Sequence, residues 1–271
     1  MQVQGFHDLQ FETVREAFAD LFNDPQERGA ALCVQIAGET VLDVWAGTAD
    51  KDGHQPWHTD TIANLFSCTK PFTAVTALQL VEEGKLELDV PVARYWPEFA
   101  AAGKQAITLR QLLSHRAGLP AIRQMLPREA LYDWQTMVDA LAAEEPWWTP
   151  GEGHGYAAIT YGWLLGELIR RADGRSAGQS IVARTAKPLG LDFHVGLADD
   201  EFYRVAHVAR SKGNEGDEVS KRMLMTMMRE PNSMTTRAFA NPPSIMTSTN
   251  TPEWRRMEQP AANGHGNARS L

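Results

Sequence analysis

The feature that most constrains this chain is a tetrapeptide, Ser67-Cys68-Thr69-Lys70, set just before an apolar run from Phe72 to Val81. Phe72, Val75, Leu78 and Val81 recur at helical spacing and Gly84 supplies a stop, so a helix is expected to begin at or just after Ser67. Pro71 suits that helix only in or next to its first turn, where few backbone N–H groups have intrahelical partners. Residues three apart share a helix face, which puts the Lys70 amine within reach of the Ser67 hydroxyl. A serine hydroxyl becomes a nucleophile when a neighbouring base takes its proton, and a lysine serves as that base when burial lowers its pKa toward neutrality. The helix N-terminus adds free N–H groups where negative charge would develop. The same four residues also suit an ordinary helix start with a serine cap and a surface lysine, so the rest of the chain has to decide.

Composition narrows the field. With 271 residues and 43% hydrophobic content the chain supports one large domain or two intimate subdomains with a sizeable core. A formal charge of −8 argues against a nucleic-acid or anionic-membrane partner. No apolar run approaches membrane-spanning length. The opening residues, Met1 to Gln10, show neither a basic nor an apolar leader segment, so a cytoplasmic location is expected. Two cysteines, Cys33 and Cys68, make no disulfide framework and agree with that. Eight Trp and ten Met hint at an apolar, adaptable pocket.

Periodicity predicts an amphipathic helix over 9–23, ended by Asp24-Pro25, and a hairpin over 31–47 turning at Gly38-Glu39. From Ile62 onward the pattern is mostly helical, with no further strong strand signal. Thr108 reads as the N-cap of a short helix closed by Gly118, a second short helix covers 138–143, and a clear one covers 159–171 before Asp173-Gly174. The methionine stripe within 222–234 reads as core, with a flexible pocket wall or lid for acyl chains as the functional alternative.

Taken in order, Ser67-Cys-Thr-Lys70, the run from Gly84 to Val92, the run from Ile107 to Leu119 and Pro150-Gly151 followed by Tyr156 resemble the serine β-lactamase-related superfamily of class C β-lactamases and DD-peptidases. Within it, Tyr156 to Gly166 and Asn263-Gly-His-Gly-Asn-Ala-Arg269 are most similar to the family VIII carboxylesterases. The resemblance implies an α/β (α+β) fold, an antiparallel sheet flanked by helices plus a mainly helical subdomain. The implied division is 1–60 for the helix and hairpin of the α/β subdomain, 61–240 for the helical subdomain with the catalytic residues, and 241–271 for a return segment. By the same analogy Ser67 is the acylated nucleophile, Lys70 its base and Tyr156 the second proton shuttle. Trp147, Trp148 and His265 are the candidate substrate-binding residues, with the core for the two tryptophans and a backbone turn for His265 as the alternatives. The expected substrate is a small-molecule short-chain carboxylic ester, with no cofactor and no metal.

Two departures from the family pattern matter. The lactamase Tyr-x-Asn motif appears here as Tyr156-Ala157-Ala158, and loss of the amide favours esters over lactams. The family's third motif lies C-terminal to Asn263-Gly-His-Gly, so a chain stopping at Leu271 is expected to lack it, together with the later strands of the sheet and one backbone oxyanion donor. Impaired activity and an open sheet edge, a route to a homo-oligomer, are the corresponding expectations. A β-lactamase or DD-peptidase, and a non-catalytic binding remnant, are the rival readings.

Other residues read as bland. Gly174-Arg-Ser176-Ala-Gly178 matches the nucleophile-elbow pattern of α/β-hydrolases, but a helix rather than a strand precedes it, so Ser176 is expected to be a cap or turn serine. Ser114 and His115 sit at the end of a short helix, where residues cap or pack. His54, His58, His154, His194 and His207 lack metal-ligand spacing. Cys68 is expected to point into the core as a small hydrophobe.

Overall fold

The computed structural model describes residues 2–209, 218–243 and 248–271. Its first sheet has three antiparallel strands, β1 (Gln4–His7), β2 (Gly29–Ile36) and β3 (Glu39–Gly47), in the order β1-β3-β2. The predicted hairpin is therefore flanked by a third strand. Its residues, Gln4-Gly5-Phe6-His7, are largely exposed and alternate too weakly for periodicity to mark them. The hairpin turn falls on Ala37 (φ 51°) and Gly38 (φ 86°), one residue earlier than expected. Positive φ at both central residues matches the right-handed twist of the flanking strands, which fixes the turn there. Helix α1 (Glu12–Asp20) packs on this sheet, with Phe18, Leu42, Val44 and Ala46 forming a small core between them.

The larger core surrounds α5 (Thr160–Asp173), whose residues from Thr160 to Ile169 are all buried. Around it lie α2 (Thr69–Glu82), α3 (Leu109–Leu113) and α4 (Trp134–Ala143). Thr108 caps α3 in a reciprocal capping box with Gln111, and Gly174 ends α5 at φ 76°, as the local signals imply. The buried face of α2 differs from the predicted stripe. Val75 and Leu78 are 42% and 45% exposed, whereas Thr69, Thr73, Thr76, Ala77 and Leu80 are buried together with Phe72. Small and hydroxyl-bearing residues let α2 approach α5 closely. Their oxygens are satisfied by backbone carbonyls, Thr76 Oγ1 donating to that of Phe72 at 2.8 Å and Thr73 Oγ1 to that of Pro260 at 2.5 Å.

The chain then runs through α6 (Ala177–Ile181), a π turn and α7 (Lys187–Leu189), and later through α8 (Glu218–Arg229), α9 (Met234–Ala240) and α10 (Pro252–Arg256). The methionine stripe on α8 is not core: the helix packs on α9 and buries none of its residues, with Met225 and Met228 exposed. A second sheet, unforeseen because each strand has two residues, joins β4 (Ala63–Asn64), β5 (Phe193–His194) and β6 (His265–Gly266) in the order β4-β6-β5. Strands that short carry no period. No helix among the described residues is long and apolar enough to cross a membrane.

Candidate active site

The chain leaves β4 through Phe66, which holds φ 45° in the left-handed region that bulky side chains avoid. The kink is tied down by its neighbours. Leu65 N–H donates to the Gly264 carbonyl at 2.8 Å, Thr69 Oγ1 donates to the Phe66 carbonyl at 2.6 Å, and Gly264 N–H donates to Thr69 Oγ1 at 2.8 Å. Ser67 emerges from it exposed, immediately ahead of α2, and among the described residues its N–H donates to no protein acceptor.

Lys70 lies one turn on and is buried, with Nζ 3.1 Å from Ser67 Oγ. Its other two hydrogen bonds run to backbone carbonyls, Ala158 at 2.8 Å and Ala261 at 3.0 Å. A neutral amine has two N–H donors and one lone pair. Two carbonyls take the donors, which aims the lone pair at Ser67 Oγ. Burial lowers the Lys70 pKa from 10.5 to about 8, opposed slightly by Cys68.

Tyr156 approaches from the other side, its phenol donating to Ser67 Oγ at 2.6 Å. Lys70 Nζ sits against the Tyr156 ring, 4.7 Å from its centroid, and no hydrogen bond joins it to the phenol oxygen among the described residues. The amine and the phenol therefore converge on Ser67 separately.

The carbonyl of Ala261 is delivered by a short knot over residues 259–263. Gln259 Oε1 accepts Ala261 N–H at 2.8 Å, Gln259 Nε2 donates to the Ile159 carbonyl at 2.9 Å, and Asn263 Oδ1 accepts Gln259 N–H at 2.9 Å. Gly162 on α5 makes room, since a Cβ there would come within 2.6 Å of Gln259 Oε1. Backbone carbonyls leave no trace in side-chain identity, so the sequence holds no sign of these two Lys70 partners.

The family model described as Beta-lactamase matches residues 14–271. The chain belongs to the beta-lactamase family. It is 34% identical to Esterase/beta-lactamase LipL of Mycobacterium tuberculosis over 275 residues, covering all of this chain and 63% of that protein. It also superposes on the crystal structure of a family VIII carboxylesterase with TM-score 0.86 and 38% identity, covering 98% of this chain and 69% of that one. A penicillin-binding protein homologue from Caulobacter crescentus gives TM-score 0.84 at 37% identity, over 98% of this chain and 68% of that one. The chain thus spans about two thirds of the length of each.

In this beta-lactamase-family chain the remaining candidates fall in different places. Trp148 is partly buried beneath the loop that precedes Tyr156, its indole close enough to Gly153 and Gly155 that a Cβ at either would clash. Trp147 is held away by structure of its own: Nε1 donates to the Ala121 carbonyl at 2.9 Å and the Arg123 guanidinium lies 4.1 Å over its ring. His265, placed by the sequence among substrate-binding residues, is fully buried in β6, the middle strand of its sheet. Burial lowers its pKa to about 4, and it offers no surface to a substrate. Cys68, expected in the core, is exposed as the N-cap of α2, outside the face that packs on α5. Among the described residues no cluster of His, Cys, Asp or Glu has metal-holding geometry.

Ser176 is the N-cap of α6, in a capping box with Gln179, and donates to Glu258 Oε1 at 2.6 Å. Ser176→Ala is expected to cost about 1–2 kcal/mol of stability, as a lost cap and a lost hydrogen bond to a carboxylate. Modification of Ser67 should be unaffected. Urea denaturation read beside active-site labelling checks both halves.

Proposed function

We propose that the protein cleaves short-chain carboxylic esters through an acyl-enzyme on Ser67. The observation that carries this reading is the double contact on one exposed hydroxyl, Lys70 Nζ at 3.1 Å and Tyr156 Oη at 2.6 Å, with the amine buried and its donors engaged elsewhere. Neutral Lys70 takes the Ser67 proton as Oγ attacks the ester carbonyl. Tyr156 then hands its proton to the departing alkoxide; water attacks the acyl carbon in turn and gives one proton to the Tyr156 phenolate, while the Lys70 ammonium returns a proton to Ser67 Oγ as the acid leaves. The Ser67 N–H, free of protein acceptors among the described residues, donates to the developing oxyanion. Covalent acylation of Ser67 is the direct readout of this step.

Ester specificity rests on Ala158. In the family's lactam-cleaving members an asparagine amide stands at this place in the tyrosine motif. Here the residue is a buried methyl whose carbonyl is spent on Lys70, leaving no side-chain amide to hold a lactam. LipL carries the name esterase/beta-lactamase and the matched family VIII structure is that of a carboxylesterase, so these relatives agree with esterase chemistry here.

Incubation with a p-nitrophenyl butyrate-type ester and, separately, with nitrocefin tests the reading. Intact-mass and peptide analysis should find an acyl adduct on Ser67 with the ester and little with nitrocefin. Faster reaction with nitrocefin would reverse the specificity, and no adduct from either would remove the enzyme reading.

A further inference from the structure

One residue beside the site has no part in the mechanism above. His115 follows α3 with φ 58°, a left-handed backbone that costs a non-glycine residue energy and persists only where its surroundings enforce it. The N–H groups of the residues on either side of Tyr156 both hang from it. Gly155 N–H donates to the His115 carbonyl at 3.1 Å, and Ala157 N–H donates to His115 Nδ1 at 3.1 Å. Its ring is wedged between two tyrosines, stacked on Tyr161 at 4.8 Å and tilted against Tyr156 at 5.0 Å, with the His154 ring 6.0 Å away. One residue thus holds the main chain on both sides of Tyr156 and props its ring from behind.

We infer that His115 is a positioning residue that sets the Tyr156 phenol on Ser67 Oγ through its carbonyl, its Nδ1 acceptor and its ring. For its rate consequence this rests on the esterase reading; for where the phenol lies it does not. The acceptor role needs an unprotonated Nδ1. Burial, with the nearby charges of Lys70 and His154, lowers the His115 pKa to about 4, so the ring stays neutral across the working range. The proton on the neutral ring then sits on Nε2, because Nδ1 is occupied as an acceptor. A protonated imidazole would present a donor to the Ala157 N–H and break the clamp.

Two substitutions separate the clamp from the backbone turn. His115→Gly accepts φ 58° without strain but loses both ring and acceptor. His115→Asn also tolerates left-handed angles and places Oδ1 where Nδ1 was. With an alkyl butyrate, whose departing alkoxide needs the Tyr156 proton, the Gly variant should acylate Ser67 about 10- to 100-fold more slowly, through the maximal rate and not the ester's half-saturation, as expected for a group misplaced by about an ångström. The Asn variant should recover most of that loss. In a Tyr156→Phe background the Gly substitution should cost nothing further, because the group it positions is already gone.

Crystal structures complete the test. The Gly variant should show the phenol displaced from Ser67 and the Asn variant should show it restored. A phenol that stays on Ser67 in the Gly variant, an Asn variant as slow as the Gly variant, or full additivity with Tyr156→Phe overturns the proposal. If the unsubstituted chain leaves Ser67 unlabelled, the esterase reading falls alone, and the two crystal structures still decide the position of Tyr156.

Discussion

A Ser67→Ala chain should form no acyl or phosphonyl adduct at position 67, and any ester turnover should fall by on the order of 10⁴–10⁶, the usual scale for removing a nucleophile. The expectation follows from geometry, since Ser67 Oγ is the atom on which both the amine and the phenol converge. One neighbour makes the measurement demanding. The Cys68 thiol is exposed beside the site, and thiolates are themselves acylated by activated esters. Mapping the adduct by peptide mass, with Cys68→Ser as a parallel control, separates the two nucleophiles. An adduct that persists at undiminished rate in Ser67→Ala, or one that maps to Cys68 in the unsubstituted chain, would show that the tetrapeptide is no catalytic element.

The second large effect concerns Lys70. Replacing it with methionine keeps the unbranched stem and removes the base, so acylation at pH 8 should drop by roughly 10²–10⁴, the usual range for a general base. The pH dependence has a definite sign. With the folded pKa lowered to about 8, the neutral, proton-accepting amine is the minor form below that pH. Acylation should rise about tenfold per pH unit as pH approaches 8 and level off above it. Lys70→Met should lose that rise. Stability is linked to the same shift. Between about pH 8 and 10.5 an unfolded lysine retains a proton that the native one has released, so the Lys70 contribution to stability increases across that window. Below it both states are protonated, and the cost of burying the charge is fully present. A rate profile that is flat from pH 6 to 9 in the unsubstituted chain would remove Lys70 from the role of base.

The parts of this fold legible in the sequence are those written in local chemistry. Thr108 as an N-cap, Gly174 at a helix end, Ser176 as a cap and the i, i+3 spacing of Ser67 and Lys70 each act within a few residues. Their structural outcome follows without knowing the rest of the chain. Tyr156 became legible only through family resemblance, because nothing in its neighbourhood says that it will meet Ser67.

What stayed hidden is non-local or carried by the backbone. The carbonyls of Ala158 and Ala261 that orient Lys70 belong to residues without functional side chains. The α2 face looked apolar at Val75 and Leu78, yet tight packing selected the threonines, whose hydroxyls are satisfied by backbone oxygens. His265 read as available because glycines surround it, whereas its side chain is fully buried in a strand too short to show a period. His115 read as a helix-end residue because its partners are peptide groups some forty positions later.

The sheet that joins β4, β5 and β6 draws on residues 63–64, 193–194 and 265–266, and the oxygen of Ala261 arrives with the last of them. During synthesis the serine and lysine are therefore made long before the groups that orient them. Closing a loop of such span is entropically costly and comes late in folding. A half-made chain on the ribosome then carries a hydroxyl and a hydrated ammonium, and Lys70 gains its second carbonyl partner only when the distant segment docks.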